Sequence, residues 1–161
     1  MIVIVMGVVG AGKTTIGQML AAELNWEFFD ADDFHAPSNV EKIRQGIPLT
    51  DADRAPWLAS LREAITKWIS EQRNAVLACS ALKRSYRDEL SVSPDVKFVY
   101  LKGSAVLIAD RLRSRHGHFA DGQILASQFA DLEEPESAII GEISEMPAEI
   151  VENIRKQLGF N

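Results

Sequence analysis

The stretch MGVVGAGKTT, residues 6 to 15, constrains this chain more than any other, because it follows the β-branched run Ile2-Val3-Ile4-Val5 and leads into a helical pattern. Gly7, Gly12, Lys13 and Thr14 satisfy the spacing G-x-x-x-x-G-K-[ST] in the context it requires, strand before and helix after. Glycines let the backbone wrap around phosphate oxygens, helix N-terminal amides supply partial positive charge, and Lys13 adds a full one. Gly7, Gly10, Ala11, Gly12, Lys13, Thr14 and Thr15 are therefore expected to hold a triphosphate, with the Thr14 hydroxyl placed for Mg²⁺. The motif leaves open where the terminal phosphate goes: to water, to another nucleotide or to a small molecule.

The rest of the chain reads as alternating strands and helices. A helix is expected from Lys13 to about Leu24 and a second strand over Trp26 to Phe29. A short helix is expected over Val40 to Gln45, and a longer one from about Arg54 to Gln72 with Asp53 as N-cap and Trp57, Leu61, Ile65 and Trp68 on its core face. Ala75 to Cys79, Lys97 to Leu101 and Ile139 to Ile143 read as further strands. Lys83 to Leu90, Leu107 to Arg115 and Pro147 to Leu158 read as helices, the last with proline near its start. Such alternation implies parallel strands joined by right-handed crossovers, hence one three-layer α/β domain over residues 1 to 161 with ligands at the carboxyl ends of the strands.

Composition narrows the partners. Among 161 residues, 47% are hydrophobic and 25% charged, an ordinary globular balance. A formal charge of −6 argues against nonspecific nucleic-acid binding. No run approaches the ~20 apolar residues that span a bilayer, and Met1 to Met6 lacks the basic flank of a signal peptide. The single cysteine, Cys79, excludes an internal disulfide and suits a reducing, cytoplasmic setting. Its apolar neighbours mark it as a small core residue.

Three further segments carry chemistry. In FFDADDFH, Asp30, Asp32 and Asp33 crowd at a strand end, where mutual repulsion suits a cation or a set of hydroxyl donors. Asp32 either accepts a proton from an attacking hydroxyl or orients it while Asp30 serves the metal; the alternative is a solvated acidic turn. In CSALKRSYRDEL, the strand ends in Ser80, where a nucleotide hydrolase would carry a metal-binding aspartate. Lys83 and Arg87 lie four apart, either to hold a carboxylate or phosphate or as a solvated basic face paired with Asp88 and Glu89. In RLRSRHGHFADG, Arg111 and Arg115 share a helical face and are suited to close over a transferring phosphoryl group, in a lid around residues 111 to 125 that excludes water. The acidic run DLEEPES reads as a solvated loop, with its nearness to the lid leaving a functional role open.

In order along the chain, GVVGAGKTT, DADDFH, NVEKIRQGIPLTDADRAPWL, CSALKRSYRD, VYLKG, RHGHF and SQFADLEEP resemble the gluconokinases of the P-loop small-molecule kinase type, over nearly the whole chain. The resemblance implies ATP-dependent phosphorylation of D-gluconate to 6-phosphogluconate, feeding the pentose phosphate and Entner-Doudoroff routes. It also implies a homodimer and the five-stranded parallel sheet of nucleoside monophosphate kinases, order 2-3-1-4-5. Asp32 would face the receiving hydroxyl, and Asp30 the metal and substrate. Arg54, Lys83 and Arg87 would meet the sugar-acid carboxylate or the phosphates, His118 would join Arg111 and Arg115 in the lid, and Gln128 would lie near the substrate. A shikimate- or nucleoside-type kinase and a non-catalytic nucleotide-binding metabolite sensor are the competing readings. In one departure, Val9 stands where the family's loop usually has serine, removing a hydroxyl contact to phosphate.

Overall fold

The computed structural model describes residues 1–115 and 119–161, with Arg115 and residues 119–121 described by backbone alone. Five strands, β1 (Ile2–Met6), β2 (Glu27–Asp30), β3 (Ala75–Ala78), β4 (Val96–Lys102) and β5 (Ile139–Glu142), pair in parallel in the order β2-β3-β1-β4-β5. This is the expected order. In register, Ile4 of β1 lies between Leu77 of β3 and Phe98 of β4.

Alternation along β1 divides the core in two. Val3 and Val5 face α1 (Lys13–Leu24), α5 (Ala105–Arg115), α6 (Phe119–Asp131) and α7 (Pro147–Gln157), through Ile16, Leu20, Ile108, Leu112, Leu125 and Ile154. Ile2, Ile4 and Met6 face α3 (Asp51–Ser70) and α4 (Arg84–Leu90), through Trp57, Leu58, Leu61, Ile65, Trp68 and Leu90. Every β1 residue is fully buried, as expected of a central parallel strand covered on both sides.

Several boundaries differ from the sequence-based expectation for local reasons. The long helix starts at Asp51 because Thr50, not Asp53, is its N-cap. Thr50 Oγ1 accepts from the Asp53 amide at 3.1 Å, and the Asp53 carboxylate accepts from the Thr50 amide at 2.9 Å, forming a capping box. The short helix α2 starts earlier than expected, over Pro37–Arg44. Cys79 lies just beyond β3 and is buried, its thiol pushed up to about 12 chiefly by desolvation. The region expected to be a lid contributes the end of α5 and the start of α6, whose helical form was not anticipated.

The acidic run is docked as well as exposed. The Glu133 amide donates to the Leu82 carbonyl at 2.9 Å, and the Glu133 carboxylate accepts from the Arg84 amide at 2.9 Å, at the start of α4. No described helix is long and apolar enough to cross a membrane.

Candidate active site

A cleft of about 420 Å³ opens at the carboxyl ends of the strands, where a parallel sheet presents its ligand site. One wall is the loop between β1 and α1. Gly12 caps α1 with φ of 97° and has open space where a Cβ would stand. No side chain caps α1 and no acid occupies its first turn, so its leading amides remain available to an anion. Gly10, at φ of 82°, brings the loop so close to α5 that a Cβ would fall 2.8 Å from Leu112 Cγ.

Lys13 folds over this loop, its Nζ donating to the Val8 carbonyl at 3.0 Å. Burial lowers the pKa of this ammonium, while the nearby Asp32, Cys79 and Asp30 oppose the shift. Gly10, Gly12, Lys13, Thr14 and Thr15 line the cleft, whereas Gly7 and the buried Ala11 support the loop from behind. The Val9 amide donates to Gln128 Oε1 at 2.6 Å, so Gln128 borders the cleft from α6 and also anchors the loop.

The facing wall is the acidic turn. Asp30 ends β2 and caps a single 3-10 turn over Ala31–Phe34, its Oδ1 accepting from the Asp32 amide at 2.9 Å. Burial raises the Asp30 pKa, the Asp32 amide opposes, and the charges of Asp32 and Asp33 raise it further. Asp32 is exposed and lines the cleft with Asp30. Among the described residues, no group of three or more acidic, histidine or cysteine side chains is arranged to hold a metal, so Asp33 does not complete the expected triple cluster. A divalent ion would meet only isolated protein oxygens here, with phosphates and water completing its shell.

The third side is built by α3. Arg54 lines the cleft, and its guanidinium donates to the Tyr86 hydroxyl at 2.9 Å and to Asp131 Oδ2 of α6 at 3.1 Å. Lys83 does not line the cleft; its Nζ donates to Asp51 at 2.9 Å and lies 4.0 Å from Asp131. Tyr86 also donates to Asp51, and these two hydrogen bonds hold the Asp51 carboxyl below its usual range.

Arg87 takes neither of its anticipated positions. It is buried, and its guanidinium donates to the carbonyls of Ala81 and Leu82 at 2.8 and 2.9 Å and of Glu133 at 2.7 Å. Those oxygens lie where sequence spacing cannot reveal them, and they turn Arg87 away from the cleft and from its helical neighbours Asp88 and Glu89. Arg111 donates to the Ile143 carbonyl at 2.6 Å and likewise does not line the cleft. The Arg115 side chain and all of His118 lie outside the described residues.

Among the cleft residues that the sequence reading did not assign to the site, His35 and Trp57 form one pair. Trp57, expected only in the core, is buried yet borders the cleft, and its ring stacks on that of His35 at 4.4 Å with an interplanar angle of 9°. Trp57 Nε1 donates to the Ala31 carbonyl at 2.7 Å, fixing α3 to the acidic turn. The recoverable signal was the histidine placed three residues after Asp32.

Comparison with known proteins places this geometry among kinases. The shikimate kinase family model matches residues 9–157. A gluconokinase from Gluconobacter oxydans (strain 621H) is 49% identical over 133 residues, covering 82% of this chain and 75% of that protein. A sugar kinase from Janibacter sp. HTCC2649 superposes with a TM-score of 0.91 at 43% identity, over 98% of this chain and 93% of that one. A gluconokinase from Sinorhizobium meliloti 1021 gives a TM-score of 0.84 at 39% identity, over 94% and 87%.

Proposed function

The chain belongs to the shikimate kinase family and, within it, to the gluconokinases, and from that membership we propose that it transfers the γ-phosphoryl group of ATP to D-gluconate, giving 6-phospho-D-gluconate and ADP. The observation that carries this reading is the placement of an uncapped helix N-terminus, an acidic turn and Arg54 on three sides of one cleft.

Phosphoryl transfer asks the protein mainly for positioning and charge stabilisation. The loop from Gly7 to Thr15, with the α1 amides and Lys13, would cradle the triphosphate. Asp32, exposed across the cleft, would accept the proton of the attacking hydroxyl as its oxygen bonds to phosphorus and ADP leaves. Arg54 would anchor the sugar-acid carboxylate, with Asp30 and Gln128 beside the polyol chain. Arg111, Arg115 and His118 would close over the phosphates, Arg111 exchanging the Ile143 carbonyl for them. Lys83 supports this site through Asp51, and Arg87 through the loop it ties down.

Mg²⁺ fits the donors present, since Thr14 and Asp30 offer hard oxygen ligands on one cleft. When bound, it neutralises charge on the β- and γ-phosphates. A homodimer in the cytoplasm, acting in gluconate utilisation, completes the reading.

A coupled assay with ATP, Mg²⁺ and gluconate, with shikimate and nucleosides in the same panel, tests it. Gluconate-dependent ADP formation well above the gluconate-free rate is expected. A rate equal to background hydrolysis would remove the assignment.

A further inference from the structure

Asn39 and His35 meet behind the cleft wall in an arrangement that the transfer scheme does not use. Asn39, on α2, is buried at 6% exposure. Its Nδ2 lies 2.8 Å from the Asp53 backbone carbonyl and 3.3 Å from His35 Nδ1. A carbonyl only accepts, so the Asn39 atom facing it is the NH₂ group. That nitrogen has no acceptor capacity for a second partner, so it also donates to His35 Nδ1. Nδ1 is therefore the bare ring nitrogen, and the imidazole proton sits on Nε2.

The other ring nitrogen points to a ligand. Nε2 has no hydrogen-bond partner among the described residues and is not among their buried unpartnered atoms, so it is open to solvent on a residue that lines the cleft. Stacking on Trp57, itself pinned to the Ala31 carbonyl, fixes the plane in which Nε2–H can donate. The His35 amide donates to the Asp32 carbonyl at 3.2 Å, so ring and acid share one turn. Burial, and then the charge of Arg54, hold the imidazole pKa below its ordinary value, in keeping with a neutral ring.

We propose that His35 is a neutral Nε2–H donor, with its tautomer set by Asn39, that reads a mid-chain hydroxyl of the substrate between the carboxylate at Arg54 and the hydroxyl facing Asp32. This rests on the gluconate reading above. Donation to a hydroxyl lone pair selects a substrate oxygen without adding a second cation beside Arg54. A protonated ring would set Nδ1–H against the Asn39 NH₂ group, donor against donor, which Asn39 forbids.

The test has two arms. Nitrogen-15 NMR of the ring nitrogens in the free protein at neutral pH, with the His35 signals identified by their loss in His35→Phe, reports the tautomer without any turnover. A neutral ring protonated on Nε2 is expected, and an Nδ1–H tautomer or an imidazolium overturns the proposal. Asn39→Asp, whose carboxylate accepts from Nδ1–H, should move the proton to Nδ1 or charge the ring; should that variant not fold, the wild-type spectrum still decides. In the kinetic arm, His35→Phe keeps the stack and removes the donor. It should raise the gluconate KM about 3- to 10-fold with kcat changed by less than about twofold. It should also lose the wild-type preference for gluconate over the analogue deoxygenated at the hydroxyl read, and His35→Gln, which retains an N–H, should recover part of it. Wild-type preference undiminished in His35→Phe for every mid-chain deoxy analogue sinks this proposal alone. Absence of gluconate turnover in the wild type sinks the gluconate assignment, while the spectrum still reports the tautomer.

Discussion

The backbone amide of Val9 donates to the side-chain oxygen of Gln128 at 2.6 Å, joining the phosphate loop to α6 across 119 residues of sequence. The residue that departs from the family's loop pattern is thus held by its main chain, and its side chain packs on the sheet core. Gln128→Leu removes the acceptor and should weaken ATP binding about 3- to 10-fold, the effect of one lost neutral hydrogen bond. Gln128→Glu keeps an acceptor for Val9 but brings a negative charge to the triphosphate, so it should weaken binding by more than about tenfold. Calorimetric titration with a nonhydrolysable ATP analogue reads both. A Glu variant that binds better than the Leu variant would show that Gln128 lies far from the phosphates.

Asp32 and Asp30 stand in one turn, and the proposed scheme gives them different work. Asp32→Asn should lower kcat by about 10² to 10⁴, the range for loss of a general base, and leave ATP affinity within about twofold. A fall in ATP binding as large as the fall in kcat would assign Asp32 to the metal instead.

Asp30 carries the opposite balance of stability and function. Its carboxyl is held above the ordinary value of 3.8, first by burial and then by Asp32 and Asp33. A carboxyl with a raised folded pKa destabilises the fold while ionised, and that cost disappears as pH falls through the folded value. Asp30→Asn retains an Oδ1 for the Asp32 amide and removes the charge. It should stabilise the free protein at pH 7 by less than about 1 kcal/mol, given partial solvent exposure, or up to about 2–4 °C in Tm. The gain should shrink toward about pH 4 and below, and kinase activity should fall. Thermal melts at both pH values check it, and a Tm at pH 7 equal to or below wild type would overturn it.

Legibility in the sequence followed the range of the forces involved. β1, the phosphate loop and α1 were readable because strand, glycines and helix face are contiguous, and the strand order came with the family resemblance. The α6 helix went unread although Leu125 and Phe129, four apart, mark its core face, since Gly117 and Gly122 nearby favour a loop interpretation. Arg87 and Arg111 were legible as cations but not as donors to carbonyls 46 and 32 residues away. His35 and Trp57 become cleft residues only when α3 docks on the acidic turn, a contact between segments that no local pattern encodes.

The cap of α3 was placed three residues late because Thr50 and Asp53 exchange hydrogen bonds, and either residue type suits the position. Thr50→Ala removes the acceptor for the Asp53 amide and should cost about 1 kcal/mol, or about 2–4 °C in Tm. Thermal melts of Thr50→Ala and Thr50→Ser separate the cap from the methyl group. Serine should hold near wild type, and equal losses in both would point to packing.

Arg54 is the cation on which the sugar-acid reading turns, and its surroundings predict how it can fail. At 11% side-chain exposure it already serves the Tyr86 hydroxyl and Asp131 through separate guanidinium nitrogens, so only a forked, multi-donor head can hold them and still offer N–H groups to a carboxylate. Lysine preserves the charge but presents a single ammonium on a flexible stem. Arg54→Lys should therefore raise the gluconate KM by about tenfold or more, while the ATP KM stays within about twofold and kcat at saturating gluconate falls only several-fold. Steady-state kinetics with each substrate varied in turn measures all three. If the ATP KM rises instead while the gluconate KM holds, Arg54 contacts the phosphates and the carboxylate is bound elsewhere in the cleft.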